Sequence, residues 1–238
     1  MNDNNSTWYE AVVRDIIIET PTIKTFVVEL PHVIKHLAGQ HYEIRLTSED
    51  GYQAARLYSA ASVADGSNRL QLTVAYLPSG EVSPYLHENI HVGDSFEVRG
   101  PLGKFFVWTP ETTQPVLLIG GGSGVVPMRC ILMAHAQAQS PAPIALLYSA
   151  RSFQDIIYRQ ELLSSEHTTI TLSDSPSPDW RGEVGRINPA MISRVLSSLP
   201  ASPLCYVCGA TPFVEVMADQ LLGLGIPAAQ IKAERFGE

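Results

Sequence analysis

The fold of this chain is indicated by residues 117–127, which read Leu-Leu-Ile-Gly-Gly-Gly-Ser-Gly-Val-Val-Pro. The apolar run is typical of a buried strand, and it leads directly into a turn rich in glycine. Glycine lets the backbone turn sharply and approach a bound group closely, and N–H groups at the start of a helix attract phosphate. This pattern makes Gly121, Gly122, Ser123 and Gly124 candidate phosphate-binding residues, with a purely structural turn as the alternative interpretation.

Length and composition limit the class of protein. The 238 residues, 45% of them hydrophobic, suffice for one large domain or two ordinary ones, and two domains are expected. The pair Cys205 and Cys208 lacks the second pair that a zinc or cluster site needs, so no structural metal is expected. The formal charge of −8 argues against nucleic-acid partners and an anionic membrane surface. No apolar run reaches the roughly 18 residues of a membrane span, and the first residues lack signal-peptide features, so a cytoplasmic protein is expected.

The two halves of the chain differ in periodicity. Short alternating segments separated by turn residues fill residues 8–108, which favours an antiparallel barrel. The predicted strands there are residues 12–18, 23–30, 41–46, 70–76 and 95–98. We therefore predict an antiparallel β-barrel domain at residues 1–110.

After a linker at residues 109–113, strand-like and helix-like segments alternate. The predicted strands are residues 116–119, 144–148, 168–172 and 204–207, and the predicted helices are residues 126–139, 158–164, 189–199 and 212–222. This alternation indicates an α/β domain with a doubly wound parallel sheet at residues 111–238, whose ligands bind beyond the carboxyl ends of the strands. The turn-rich loop at residues 173–179 follows such an end and is a candidate ligand contact.

Several short motifs follow one another in a characteristic order. Arg-x-Tyr-Ser occupies residues 56–59, Gly-x-x-Ser-x-x-Leu residues 80–86, and the glycine-rich turn, Cys208-Gly209 and Glu-Arg-Phe-Gly at residues 234–237 come next. In this combination the chain resembles the ferredoxin-NADP reductase superfamily, and most of all the reductase modules of bacterial oxygenase systems. The chain has no Cys-x4-Cys-x2-Cys run, so an iron–sulfur centre is expected on a partner.

The resemblance implies that the first domain binds FAD. The guanidinium of Arg56 offers a fork of donors for the pyrophosphate, Tyr58 offers a flat ring for stacking, and Ser59 offers a hydroxyl to flavin N5. The alternative is an edge-strand arginine followed by a half-buried tyrosine. Ser83 and Pro84 are predicted to be the N-cap and the first residue of a helix, whose first amides would face an anion. Further expected FAD contacts are Leu57, Val74, Tyr76, Gly80, Val82 and Ser83.

The same resemblance implies that the second domain binds NAD(P)H, with its pyrophosphate at the glycine-rich turn. Cys208 would lie against the nicotinamide, Glu234 near nicotinamide C4 and the flavin, and Phe236 against a ring edge. Gly209 is a further expected cofactor contact. The alternatives are a small buried hydrophobe for Cys208, a surface carboxylate for Glu234 and a packing role for Phe236. Ser59, Cys208 and Glu234 are the candidate catalytic residues.

The choice between NADH and NADPH depends on the 2′-phosphate. Relatives that prefer NADPH carry arginine after a strand-ending serine, whereas this chain carries Ser173 and Asp174. An acidic side chain repels the phosphate and suits a free ribose hydroxyl, which favours NADH. Arg151 and Arg186 are also candidate phosphate ligands, so NADPH stays open.

The expected protein is an FAD-containing, NAD(P)H-dependent oxidoreductase. Hydride would pass from nicotinamide C4 to flavin N5, and single electrons would pass on to a separate iron–sulfur or haem protein. The alternatives are an NAD(P)H:flavin reductase and a non-catalytic flavin-bound interaction or regulatory subunit. The identity of the acceptor and the oligomeric state are not predicted.

Overall fold

The computed structural model describes residues 7–33, 35–174, 176 and 178–236. The chain forms two compact units, Met1–Trp108 and Thr109–Glu238. Within the described residues, each unit is built on a six-stranded sheet. The first sheet is antiparallel and the second parallel, as the difference in periodicity predicts.

In the part of the chain that the structure describes, the first unit is an antiparallel barrel with one helix. Its strands and helix are β1 (Trp8–Thr20), β2 (Ile23–Glu29), β3 (His41–Thr47), β4 (Gln53–Ser59), β5 (Arg69–Ala75), α1 (Val82–Asn89) and β6 (Ser95–Leu102). The strand order is β4-β3-β6-β1-β2-β5. An antiparallel bridge between Ala60 and Leu72 connects the end of β4 to β5, and the Ala61 amide donates to the Gln71 carbonyl at 2.9 Å. These contacts close the sheet, which confirms the predicted barrel.

Alternating side chains of the barrel strands form the first core. Phe26 and Val28 of β2 are fully buried, and the ring of Phe26 meets that of Phe96 edge to face at 6.3 Å between centroids. Val82 and Leu86 of α1 are also fully buried. Burial of these apolar side chains stabilises the barrel and fixes the position of α1 against it.

The second unit alternates strands and helices. They are β7 (Val116–Gly121), α2 (Val125–Gln137), β8 (Ile144–Ala150), α3 (Arg159–Ser164), β9 (Thr168–Leu172), β10 (Glu183–Val184), α4 (Pro189–Ser197), β11 (Leu204–Ala210), α5 (Thr211–Gly223) and β12 (Ile231–Phe236). The strands lie in the order β10-β9-β8-β7-β11-β12 and every neighbouring pair is parallel. Their carboxyl ends therefore share one edge, as in a doubly wound sheet.

The core of the second unit lies between the sheet and its helices. Leu117, Ile119 and Val207 of the central strands are fully buried and pack with Val214 and Leu221 of α5. The near-continuous apolar runs of β7 and β8 follow from burial on both faces of a parallel sheet. No helix in the described part of the chain is both long and apolar enough to span a bilayer.

Three of the described strands lie outside the segments that periodicity predicts. β4 reads Gln-Ala-Ala-Arg-Leu-Tyr-Ser and lies at one end of the sheet order, so it lacks an alternating apolar face. β10 has two residues, and β12 lies at the other outer position of its sheet with half-buried or exposed side chains. Outer strands bury less surface and therefore leave a weaker pattern in the sequence.

The predicted N-cap of α1 is wrong. The helix begins at Val82 with Glu81 as its N-cap residue, so Ser83 lies inside the first turn. The Ser83 hydroxyl instead accepts a hydrogen bond from the Leu77 amide at 3.1 Å. A serine oxygen that is used to hold the preceding loop does not cap the helix.

Candidate cofactor-binding sites

The Arg-x-Tyr-Ser motif lies on β4, at an outer position of the first sheet. Arg56 and Leu57 are exposed, with 55% of the Arg56 side chain accessible, and Tyr58 is half-buried opposite Tyr42 of β3. Burial raises the pKa of Tyr58 to about 12, partly offset by the Arg56 charge. The tyrosine is therefore a neutral, partly covered ring. The positions of Arg56 and Tyr58 agree both with FAD binding and with the alternative of an edge-strand arginine followed by a half-buried tyrosine.

Ser59 provides a test of whether a cofactor fits this site. The residue is 3% exposed, and its hydroxyl is buried without a hydrogen-bond partner among the described residues. A buried polar group without a partner is costly, and such groups often mark a site that a ligand completes. The end of β4 therefore fits a ligand with a hydrogen-bonding atom, as the flavin ring has.

The Gly-x-x-Ser turn is compact. The Gly80 amide donates to the Leu77 carbonyl at 2.8 Å, and a Cβ on Gly80 would lie 3.3 Å from the Ser83 hydroxyl. Val82 and Ser83 are buried at the start of α1. Among the expected FAD contacts on β5 and after it, Val74 is fully buried, whereas the Tyr76 hydroxyl donates to Glu88 at 2.7 Å.

The structure also gives Arg56 a partner that the sequence does not reveal. Its guanidinium lies 3.6 Å from a carboxylate oxygen of Glu81, the N-cap residue of α1. Glu81 stands within the Gly80–Leu86 motif, but its approach to Arg56 depends on the way β4 and α1 pack. Local sequence contains no signal for that contact.

The glycine-rich turn of the second unit is a backbone cradle. β7 ends at Gly121, residues 122–124 form a single 3₁₀ turn, and α2 begins at Val125 without a side-chain cap on its amides. Gly122 has a φ of +54°, and a Cβ there would meet nothing within 4 Å. Ser123 is half-buried. An open, left-handed glycine before uncapped helix amides fits a phosphate group.

Close backbone packing connects this turn to the end of β11. A Cβ on Gly124 would lie 2.0 Å from the Cys208 carbonyl oxygen, so any side chain at Gly124 would collide. Gly121 and Gly209 both face the ring of Phe213, which a Cβ would approach to 2.9 Å and 2.8 Å. These contacts bring the turn and the Cys-Gly motif together at the carboxyl edge of the sheet.

Cys208 and Glu234 are neighbours across two strands. Cys208 is fully buried and pairs in register with Gly120 on β7 and with Glu234 on β12. Burial, and then the charge of Glu234, raises the pKa of Cys208 well above its usual value. The thiol is therefore neutral at physiological pH. Phe236 is half-buried and pairs with Ala210 at the end of the same strands, whereas residue 237 of the motif lies outside the described residues.

The loops after β8 and β9 bring two further predicted residues together. The Asp174 amide donates to the Arg151 carbonyl at 2.9 Å, and Ser173 makes the equivalent bond to Ala150. The Arg151 side chain forms hydrogen bonds to Asp155 at 3.3 Å, and these bonds, more than the charge of Asp174, raise the pKa of Arg151. Two carboxylates, those of Asp155 and Asp174, therefore already act on the charge of Arg151. Arg186 is exposed after β10, the outer neighbour of β9.

The described histidines, cysteines and acidic residues form no group of three that could hold a metal ion. The candidate sites contain an arginine, a tyrosine, hydroxyls, a thiol, carboxylates and backbone amides. Such groups bind and orient an organic cofactor that carries the redox chemistry itself.

Comparison with known proteins gives one domain match in each of the two units. The oxidoreductase FAD-binding domain matches residues 10–107, and the oxidoreductase NAD-binding domain matches residues 118–219. The chain is 32% identical to ferredoxin–NADP reductase B of Sorangium cellulosum, over 94% of this chain and 91% of that protein. It is 28% identical to the ferredoxin–NAD(P)+ reductase component of the naphthalene 1,2-dioxygenase system of Pseudomonas putida, over 93% of this chain and 67% of that protein.

Among solved structures, the chain is similar to the FAD/NAD-binding domain of nitric oxide dioxygenase from Vibrio cholerae. The TM-score is 0.83 at 28% identity, over 97% of this chain and 99% of that one. Each of these similarities extends over both domains and nearly the whole length of the chain. The chain belongs to the ferredoxin-NADP reductase family of oxidoreductases, with an FAD-binding domain followed by an NAD-binding domain and with FAD and NAD(P)H as its cofactors.

Proposed function

We propose that this protein is a cytoplasmic NAD(P)H-dependent reductase, with NADH preferred, that delivers electrons to a separate redox protein of the ferredoxin or oxygenase type. FAD supplies the chemistry when bound, because it accepts a hydride from nicotinamide and gives up electrons one at a time. The residues of the chain bind the two cofactors, orient them and control the charge around them.

The observation that carries this proposal is the packing of Gly124 against the Cys208 carbonyl at the carboxyl edge of the second sheet. In this arrangement the turn at residues 121–124 holds the NAD(P)H pyrophosphate through backbone amides. Cys208 then presents a small neutral thiol to the nicotinamide, since burial keeps its pKa high. Glu234, beside Cys208 on β12, provides a carboxylate near the reacting carbon.

The first unit holds FAD in the proposal. Arg56 binds the pyrophosphate, because a guanidinium makes charge-assisted hydrogen bonds to phosphate oxygens. Tyr58 stacks on the flavin or its ribityl chain, and the buried Ser59 hydroxyl gains flavin N5 as its partner. The Ser59 hydroxyl supports this assignment most directly, since the described protein leaves it without one.

The acceptor is inferred from the relatives. A ferredoxin–NADP reductase and the reductase component of a dioxygenase system are both similar over most of this chain.

A second candidate function is reduction of free flavin. It is favoured by the exposure of Arg56 and its ion pair with Glu81, since a cofactor that competes with a carboxylate exchanges more readily. The two functions differ in whether flavin is cofactor or substrate.

The test uses the FAD-loaded protein with NADH and two acceptors, a ferredoxin and free FMN. The proposal predicts ferredoxin reduction at a rate proportional to protein concentration and independent of added free FAD. Ferredoxin reduction only when free flavin is added would instead identify a flavin reductase. Absence of any NAD(P)H oxidation would favour a non-catalytic subunit.

A further inference from the structure

Arg56 is held from two sides. One guanidinium nitrogen donates to the carbonyl of Ala55 at 2.7 Å, and another lies 3.6 Å from a carboxylate oxygen of Glu81. The side chains of Arg56 and Glu81 are 55% and 52% exposed. An exposed ion pair of this kind contributes little to folding stability. The pair matters more for the binding of a charged ligand to Arg56.

The carboxylate of Glu81 is itself positioned. The Tyr52 hydroxyl donates to its second oxygen at 2.9 Å, and this hydrogen bond is the main reason that the pKa of Tyr52 is raised. Glu81 is the N-cap residue of α1, yet its side chain makes no capping hydrogen bond. The carboxylate is therefore directed toward Tyr52 and Arg56 rather than toward the amides at the start of the helix.

A groove beside Glu81 is lined by further glutamates, of which Glu97 is paired with Arg45 at 2.7 Å. Glu81 lines an open groove of about 820 Å³ that Tyr52 and Tyr85 also line. The other glutamates along the groove are Glu10, Glu49 and Glu97. The carboxylate of Glu81, 3.6 Å from the guanidinium, partly neutralises the positive charge of Arg56 before any ligand binds.

We propose that Glu81 lowers the affinity of the protein for FAD by competing with the FAD diphosphate for Arg56. The inference rests on the proposed function, in which Arg56 binds that diphosphate. Two anions of like charge use the same guanidinium, so the diphosphate must displace the carboxylate or share the guanidinium with it. Glu81 is then a residue that sets how tightly FAD is held and how readily it exchanges.

The experiment titrates apoprotein with FAD and follows the fluorescence of the flavin. Glu81→Gln keeps the size of the side chain and removes its charge, and we expect the dissociation constant to fall by about threefold. Glu81→Asp keeps the charge and is expected to stay near the wild-type value. Glu49→Gln is the matched control, since Glu49 lines the same groove and has no described contact with Arg56.

A double-mutant comparison with Arg56→Ala separates competition from other effects. Arg56→Ala should weaken FAD binding, and the gain from Glu81→Gln should largely disappear in that background. The inference is overturned if Glu81→Gln weakens binding, leaves it unchanged, or acts no differently from Glu49→Gln, while Arg56→Ala still weakens it. If Arg56→Ala itself has no effect, the placement of FAD in the proposed function fails and the inference fails with it.

Discussion

Cys208 and Glu234 occupy directly paired positions on the neighbouring parallel strands β11 and β12. Cys208 is fully buried, and Glu234 is only partly covered. The charge of Glu234 adds to the effect of burial in raising the pKa of Cys208, so the two side chains are close enough to interact. A neutral thiol and a carboxylate side by side at the carboxyl edge are suited to contact an uncharged ring and a reacting carbon.

Substitution of either residue is therefore expected to slow reduction of bound FAD by NADH. We expect Cys208→Ala and Glu234→Ala to retain FAD and to lower the rate by roughly tenfold or more, which corresponds to about 1.4 kcal/mol of activation free energy. Stopped-flow bleaching of the flavin at saturating NADH measures this rate. Cys205→Ala is the control, because Cys205 is equally buried at the amino end of the same strand. Wild-type rates in both variants would mean that Cys208 and Glu234 are structural.

Ser59→Ala is expected to act differently on the apoprotein and the FAD-loaded protein. Its buried hydroxyl has no partner among the described residues, so its removal should leave the apoprotein as stable or stabilise it by about 1 kcal/mol. With FAD bound, the same variant should lose a hydrogen bond and reduce its flavin more slowly. Urea unfolding of the apoprotein and stopped-flow reduction give the two readouts.

Ser83→Ala provides the matched control for that experiment. The Ser83 hydroxyl is buried too, but it accepts the Leu77 amide at 3.1 Å, so its loss should destabilise the apoprotein by about 1 kcal/mol. Equal destabilisation by both substitutions would show that the Ser59 hydroxyl has a hydrogen-bond partner within the protein and does not need a ligand to supply one.

Asp174→Arg is expected to shift cofactor preference toward NADPH. Asp174 is exposed on the loop beside Arg151, and a carboxylate there repels the 2′-phosphate, whereas arginine attracts it. Screening in an exposed loop limits the change in the ratio of kcat/KM values to about tenfold. Asp179→Arg, in the same loop, is the control for added charge. An unchanged ratio in Asp174→Arg would assign the choice to Arg151 and Arg186.

The folded protein is expected to lose stability at alkaline pH, because it buries thiol and phenol groups in their neutral form. Burial raises the pKa of Cys205 and of Tyr58 to about 12 each, from 9.0 and 10.0, and burial together with the charge of Glu234 raises the pKa of Cys208 well above 9.0. Above pH 9 the unfolded chain releases these protons first, so it binds fewer protons than the folded chain and the free energy of unfolding falls. This contribution is complete below pH 9 and is lost as the pH rises toward 12. Urea midpoints at pH 8 and above test the prediction, and a constant midpoint up to pH 11 would contradict it.

Periodicity predicts most of the fold because buried strands and helices leave strong patterns. β9 is predicted at residues 168–172, where the structure has it, and α2 is predicted from residue 126 and begins at Val125. The outer strands β4 and β12 carry the Arg-x-Tyr-Ser and Glu-Arg-Phe motifs. Because few of their side chains are buried, periodicity does not predict them as strands. Motifs and periodicity thus locate different parts of the molecule.

Contacts between distant residues account for what the sequence leaves out. The Ser83 hydroxyl bonds to Leu77 and leaves the N-cap position to Glu81, whose carboxylate turns to Arg56 instead. A Cβ at Gly124 would collide with the carbonyl oxygen of Cys208, which lies on β11. Such features depend on packing, and a local pattern cannot specify them.

In the proposed function, the chain holds FAD and reduces it with NAD(P)H for delivery to a redox partner. Anaerobic titration of the FAD-loaded protein with NADH tests both the reduction and the delivery. We predict that an equimolar amount of NADH bleaches the yellow absorbance of bound FAD and that an oxidised ferredoxin then restores it. Protein that binds FAD but is bleached by neither NADH nor NADPH would contradict the account.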